Sequence, residues 1–245
     1  VGERVGQLYG PGFERVKDGS MKGEIIIGSN GLPVMTEDPI LLGNVNPDWT
    51  AGIYNNFSYK GFSLSCLFDI RQGGVFVSRT LNKGIGSGQL VETEIGRGAR
   101  QIGTEYDDPY YLEGAAQLPD GTYAPNLTIH DGTYSQGVYG TDARGFHKNY
   151  YDHNSEAQTL DASFVKLREL KFGYQFPQKM LQKVHLKNAG IYLFGRDLLL
   201  FTDGKNKHID PENAMANTGN GLVLGFENLS IPTSKSIGIQ LNLSF

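Results

Sequence analysis

The chain reads as an all-β protein, and the architecture that suits it is a membrane-spanning antiparallel β-barrel. Three observations point there. Residues 236–245, SIGIQLNLSF, alternate without a break: Ile237, Ile239, Leu241, Leu243 and Phe245 share one parity, and polar or small residues take the other. A strand turns successive side chains to opposite faces, so this segment has one oily side and one wet side. Short and long connections alternate along the chain. The 33 Gly, 13 Tyr and 13 Phe among 245 residues, with few helical signals, also favour strands joined by long loops.

Each element follows from its own residues. Before YKGF, Ile53, Phe57 and Tyr59 share a parity; after it Phe62, Leu64, Cys66, Phe68 and Ile70 face one way, and Ser63, Ser65, Asp69 and Arg71 the other. The Lys60-Gly61 pair fits a two-residue hairpin turn, with Gly supplying a positive φ. Further on, Leu170, Phe172, Tyr174 and Phe176 oppose Glu169, Lys171, Gly173 and Gln175, and Pro177 removes the donor needed to continue. Val165 and Leu167 hold the opposite parity in the same strand, which predicts a bulge near Arg168-Glu169. QKMLQKVHLK is a compact connection with room for one helical turn. NAGIYLFGRDLLLF, apolar on both parities, is a strand of ambiguous facing, and a strand from Ile231 to Phe245 completes the set.

The short connections at 60–61 and 177–187 then alternate with long ones at about 11–48, 78–162 and 202–230, so the long ones lie at one end. Long structureless loops are uncommon in compact soluble domains, whereas outer-membrane barrels pair short periplasmic turns with long extracellular loops. Aromatics beside the short turns, Tyr59, Phe62, Tyr174 and Phe176, suit an interfacial girdle. On this reading Phe62, Leu64, Cys66, Phe68, Ile237, Ile239, Leu241 and Leu243 face lipid, and Asp69, Arg71, Gln240 and Asn242 face the lumen. On the residues alone a soluble β-sandwich, serving as a glycan-binding module, stays open: there the same alternation would run core-in and water-out.

Other classes find little support. A net charge of -4 offers no basic surface for nucleic acid. One cysteine, Cys66, excludes an internal disulfide and a thiolate metal site. The opening Val1, with no basic or apolar leader after it, reads as a processed or partial chain. His208, Asp210 and Glu212, Asp152 and His153, and Glu105, Asp107 and Asp108 form acidic or His-bearing loop clusters without a known ligand spacing, and read as solvated loop faces. No metal site and no cofactor are expected, calcium in an extracellular loop or lid being the one ion such acids would take. GIGSG at 84–88 lacks a phosphate-loop spacing and reads as a flexible loop. The Asn-x-Ser/Thr matches at Asn56, Asn126, Asn228 and Asn242 read as chance. No fixed acid/base pair is found, so no catalytic residue is assigned. Tyr106, Asp107, Asp108, Tyr110, Tyr111, Tyr150 and Tyr151 are candidate substrate-binding residues, since rings beside carboxylates suit sugar or peptide recognition; packing of the loop on itself explains them equally well.

Several stretches resemble SusC/RagA-like TonB-dependent outer-membrane transporters of Bacteroidetes. LLGNVNPDWTAGIYNNFSYKGFSLSCLFDIRQGG is similar to the family's Gly-Asn-x-Asn-Pro stretch, YKGF hairpin and following strand. TLDASFVKLRELKFGYQFP resembles its Asp-Ala-Ser-Phe-Val-Lys-Leu-Arg strand, and DPE at 210–212 and the terminal aromatic also match. The 82–155 stretch matches least. The resemblance implies a plugged barrel of about 22 strands, of which this chain would supply about six near the C-terminus. It implies an outer-membrane importer of oligosaccharides or peptides, energised by the TonB complex through a segment outside this chain and covered by a SusD-like lipoprotein lid. The N-terminal barrel and plug of the same receptor would be its nearest partners, with strands bonded to the strand near Val1 and to the one ending at Phe245. Phe245 resembles the family's assembly signal.

Overall fold

The computed structural model describes residues 2, 4–94, 111–126, 129–130, 133–134, 137–214, 224–231 and 233–245. Its main feature is a five-stranded antiparallel sheet formed by β1 (Trp49–Tyr59), β2 (Phe62–Gln72), β3 (Phe164–Gln175), β4 (Asn188–Thr202) and β5 (Ser236–Ser244). Each strand pairs with the next in sequence, an up-and-down meander. Both edges, β1 and β5, are unpaired among the described residues, so the barrel is not closed by this chain.

The hairpin turn lies where the sequence places it. Tyr59 pairs with Phe62, and Lys60 and Gly61 carry φ of 47° and 88°, as the tight primed turns require. The bulge is also found: the register of β3 against both neighbours shifts between Leu167 and Glu169, leaving Arg168 as the extra residue. The 177–187 connection holds one helical turn, Gln178–Leu181, followed by a short 3-10 turn.

Residues directly opposite one another in an antiparallel ladder share a face, so the registers define two continuous surfaces. One carries Phe57, Leu64, Phe172, Leu193 and Ile239 in a single row across all five strands. Because of the bulge, Val165 and Leu167 lie on this surface with Leu170 and Phe172, which resolves their opposite parity. β4 has its own irregularity at residues 197–198 opposite Arg168, which puts Leu199 and Phe201 on the apolar surface with Ile191 and Leu193. Its ambiguous facing is thereby settled by its neighbour. The apolar surface is bare: Ile237 and Ile239 are 76% and 72% exposed. In a sandwich a second sheet would cover it.

The opposite surface is covered at the end away from the hairpin turn. Val75–Ser78 continues past β2 and joins Thr159–Asp161 and Phe226–Glu227 in a small sheet, and helix α1 (Arg79–Gly86) follows directly. Phe76, Leu81, Ile85, Leu160, Ala162, Ile209 and Ala214 form the core there. The long connections therefore fold onto one another. Two expectations are corrected. Gly84 and Gly86 of GIGSG lie in α1 and not in a flexible loop: the Ser78 hydroxyl accepts from the Leu81 N–H at 2.9 Å to cap the helix, and Leu81 and Ile85, one turn apart, are buried. The strand near residue 1, Gln7–Gly10, pairs with Ile40–Asn44 in a separate two-stranded sheet. The free edge of the main sheet is consequently β1.

Candidate functional site

Asp69, Arg71, Gln240 and Asn242 lie on the polar surface of the sheet, whereas Phe62, Leu64, Cys66, Phe68, Ile237, Ile239, Leu241 and Leu243 lie on the apolar one. Cys66 sits between Leu64 and Phe68 and is half-buried. Phe245 follows the end of β5 and is exposed.

Toward the hairpin-turn end the polar surface carries Asn56, Ser58, Ser63, Ser65, Gln240 and Asn242. Here Gly173 is needed for space: a Cβ would stand 2.0 Å from the Tyr192 ring, which lies over the glycine on the neighbouring strand. The Lys171 ammonium sits 4.4 Å from the centre of that ring and donates to Gln240 at 3.1 Å. The aromatic ring thus fills the gap and locks three strands in register.

Toward the other end the surface becomes ionic. Lys166, buried near the start of β3, donates to Asp210 at 2.5 Å and Glu212 at 2.7 Å. Arg168, displaced onto this side by the bulge, bridges Glu212 and Asp69, with Asp197 at 3.5 Å. The Thr233 hydroxyl adds a bond to Asp210. Six charged side chains from β2, β3, β4 and the 203–235 connection thereby tie that connection to the wall. Glu212 is held far below the usual carboxylate range, at about 2, chiefly by the Arg168 guanidinium; burial opposes this and the Lys166 ammonium reinforces it.

This corrects the reading of HIDPE as a solvated loop face. Asp210 is buried and paired, because burying Lys166 without a counter-charge would cost too much. His208 turns elsewhere, its Nε2 2.9 Å from Glu92. Among the described residues no group of three His, Cys, Asp or Glu gathers to hold a metal. The signal for the network was present in the sequence as Lys166 and Arg168 at inward-facing positions of a strand whose one acid, Glu169, lies 3.7 Å from Arg196.

A second buried carboxylate, Glu227, organises the neighbouring segment. It accepts from the Ser78 hydroxyl at 2.8 Å, the Thr80 hydroxyl at 2.7 Å, the Thr80 N–H at 3.0 Å and the Ser230 N–H at 2.8 Å. Burial pushes this carboxyl up, and the four donors overcome that and leave it below its ordinary value.

The residues that carry the family resemblance meet at the junction between sheet and loops. The Arg71 guanidinium donates to the Val45 carbonyl at 2.6 Å, the Ser163 hydroxyl accepts from the Gly73 N–H at 2.8 Å, and the Ala162 N–H donates to Gly74. Of the aromatic candidates, Tyr111 is half-buried. Tyr151 packs against the core and donates its hydroxyl to the Ala157 carbonyl at 2.6 Å; burial, with Glu92 nearby, pushes that phenol up. Tyr106, Asp107, Asp108, Tyr110 and the side chain of Tyr150 lie outside the described residues. Asn126, one of the Asn-x-Ser/Thr matches, is fully buried and bonded to Leu112 and Tyr139, which removes it as a glycan acceptor.

No family model matches the chain. Three proteins of Formosa agariphila are similar to it: TonB-dependent receptor P3, 25% identical over 100% of this chain and 22% of the receptor; P26, 26% identical over 86% and 18%; and P39, 25% identical over 98% and 21%. Among solved structures, the RagAB peptide transporter aligns with a TM-score of 0.51 at 19% identity, and the RagAB peptide importer in its open-open state with 0.54 at 18%. Each alignment covers 98% of this chain and 23% of the other. The chain therefore spans about a fifth of the curated relatives it matches. The expected likeness to a portion of a SusC/RagA-like barrel is borne out, and the fold is that of such a portion.

Proposed function

We propose that this chain, a SusC/RagA-like barrel portion, forms C-terminal wall and loops of an outer-membrane importer that takes up oligosaccharides or peptides beneath a SusD-like lipoprotein lid and is energised by TonB. The observation that carries the reading is the two-sided sheet with free edges. Its apolar surface is exposed over much of its extent, its polar surface is roofed by long connections at one end only, and β1 and β5 each present an unpaired row of backbone groups among the described residues. In hydrocarbon each unpaired backbone group costs several kcal/mol. The edges are therefore completed by strands of the rest of the receptor, and the apolar surface meets lipid.

The long-connection end is then extracellular, and the ionic network fixes the 203–235 connection against the lumen wall. Import on this scheme needs no catalytic residue in the chain, since selectivity is differential binding and the work is a conformational opening. The test is solute uptake by cells expressing the whole receptor, with and without functional TonB, alongside membrane fractionation. The expected result is receptor in the outer membrane and uptake that stops without TonB. Receptor in the soluble fraction, or uptake indifferent to TonB, would overturn the reading.

A further inference from the structure

Charge is divided unevenly between the two ends of the sheet. No Asp or Glu occurs at 49–68, 170–196 or 228–245, stretches that together hold the turn-side half of every strand and both short turns. The turns themselves carry Lys60, Lys179, Lys183 and Lys187, all exposed. In a chain of net charge -4 this local excess of cations runs against the composition. At the other end Lys166 and Arg168 are matched by Asp69, Asp210 and Glu212.

Two of the four lysines are placed on the apolar side of the sheet. Tyr59, Phe62 and Tyr174 form one row of that surface, since Tyr59 pairs with Phe62 and Phe62 with Tyr174. The Phe62 and Tyr174 ring centres lie 4.6 Å apart and those of Tyr174 and Phe176 5.3 Å, so the rings make a band. The Lys60 ammonium sits 5.1 Å from the centre of the Tyr59 ring, which draws it to the same side. Lys187 continues the parity of Ala189 and Ile191, whose partners are Leu243 and Leu241, and its N–H donates to the Ser244 carbonyl at 2.8 Å. The ladder therefore reaches it. Lys179 and Lys183 stand four residues apart on the helical connection with Leu181 buried between them, so both project from its outer side. Met180 beside them is 58% exposed, an apolar side chain turned outward with the cations.

A band of rings with ammonium groups just beyond it suits the boundary between hydrocarbon and headgroups, where aromatic residues settle and lysines reach toward phosphate. We propose that this rim binds an anionic phospholipid of the membrane leaflet on the short-turn side, with the phosphate at the lysines and the acyl chains along the aromatic band. A phospholipid suits the rim better than an acidic polymer beyond the membrane, because the band holds the lysines at headgroup depth. The inference rests on the reading of the sheet as outer-membrane wall and adds a lipid ligand to it.

The test uses the whole receptor in neutral detergent, titrated with phosphatidylglycerol or with phosphatidylcholine of the same acyl chains and followed by native mass spectrometry. Phosphatidylglycerol is expected to bind about fivefold tighter or more, the scale of one lysine at an anionic lipid surface. Lys179→Gln/Lys183→Gln/Lys187→Gln should erase that preference, and the corresponding triple arginine variant, which keeps the charge, should retain it. Lys205→Gln/Lys207→Gln/Lys235→Gln removes as many charges at the long-connection end and should also leave it intact. A preference that survives the glutamine changes at the rim, or that the changes at the far end abolish equally, would overturn the proposal. Rim changes that leave the lipid preference intact but release the receptor from isolated peptidoglycan would give the rim to that polymer instead. Unaltered receptor recovered in the outer membrane without a phosphatidylglycerol preference refutes the lipid site alone, whereas receptor in the soluble fraction refutes the membrane reading as well.

Discussion

Replacing Lys166 by Met tests the ionic network at its most buried point. The Lys166 and Asp210 side chains are 2% and 3% exposed and meet at 2.5 Å. Met matches the stem in length and removes the charge, so Asp210 keeps only the Thr233 hydroxyl and its own local bonds. Breaking a buried pair from one side costs about 3–5 kcal/mol, most of it the uncompensated charge left behind. That is a rise of about two to three and a half powers of ten in the opening of the 206–214 segment. Hydrogen exchange in the whole receptor reads it directly at the amides of Ile209, Glu212 and Asn213, whose acceptors lie within the segment. Lys166→Met combined with Asp210→Leu removes both charges and should recover most of the protection. Unchanged exchange in the single variant, or a double variant as open as Asp210→Leu alone, would refute the reasoning.

Gly61 has a φ of 88°, and a Cβ there would come within 2.8 Å of the Gln175 carbonyl; Gly61→Ala should lower the refolding yield of the receptor, whereas Lys60→Gly, at a φ of 47°, should leave it equal or slightly higher. Glu212 has its folded value lowered from 4.5 to about 2, so its contribution is present above about pH 4.5 and is lost as pH falls toward 2. Proteolysis of the 203–214 segment should accordingly increase across that window, and Glu212→Gln should flatten the profile.

The hairpin, the bulge and the one-turn connection were legible because each is set by residues adjacent in sequence: Lys60-Gly61, the parity reversal between Leu167 and Leu170, and Pro177. The facing of β4 was not, because its own residues are apolar on both parities and only pairing with β3 decides it. The pairing of Lys166 and Arg168 with Asp210 and Glu212 spans more than forty residues, and acids in a polar loop look alike whether solvated or paired. Helix α1 was hidden by Gly84 and Gly86, each costing about 1 kcal/mol against alanine; burial of Leu81 and Ile85 under the long connections offsets this, and that packing is not visible locally. The edge strand was misplaced because Gln7–Gly10 finds its partner at Ile40–Asn44.

The central claim is that one surface of the sheet meets lipid and the other the lumen, and Ile239 and Gln240 test it because they are adjacent in β5 and point to opposite surfaces. Lysine on the lipid surface of a barrel costs about 2–4 kcal/mol near the bilayer midplane, and on the lumen surface far less. The measurement is the amount of folded, heat-modifiable receptor in the outer membrane for Ile239→Lys and Gln240→Lys. Ile239→Lys is expected to lose most of the assembled receptor and Gln240→Lys little; equal losses, or a larger loss at Gln240, would contradict the account.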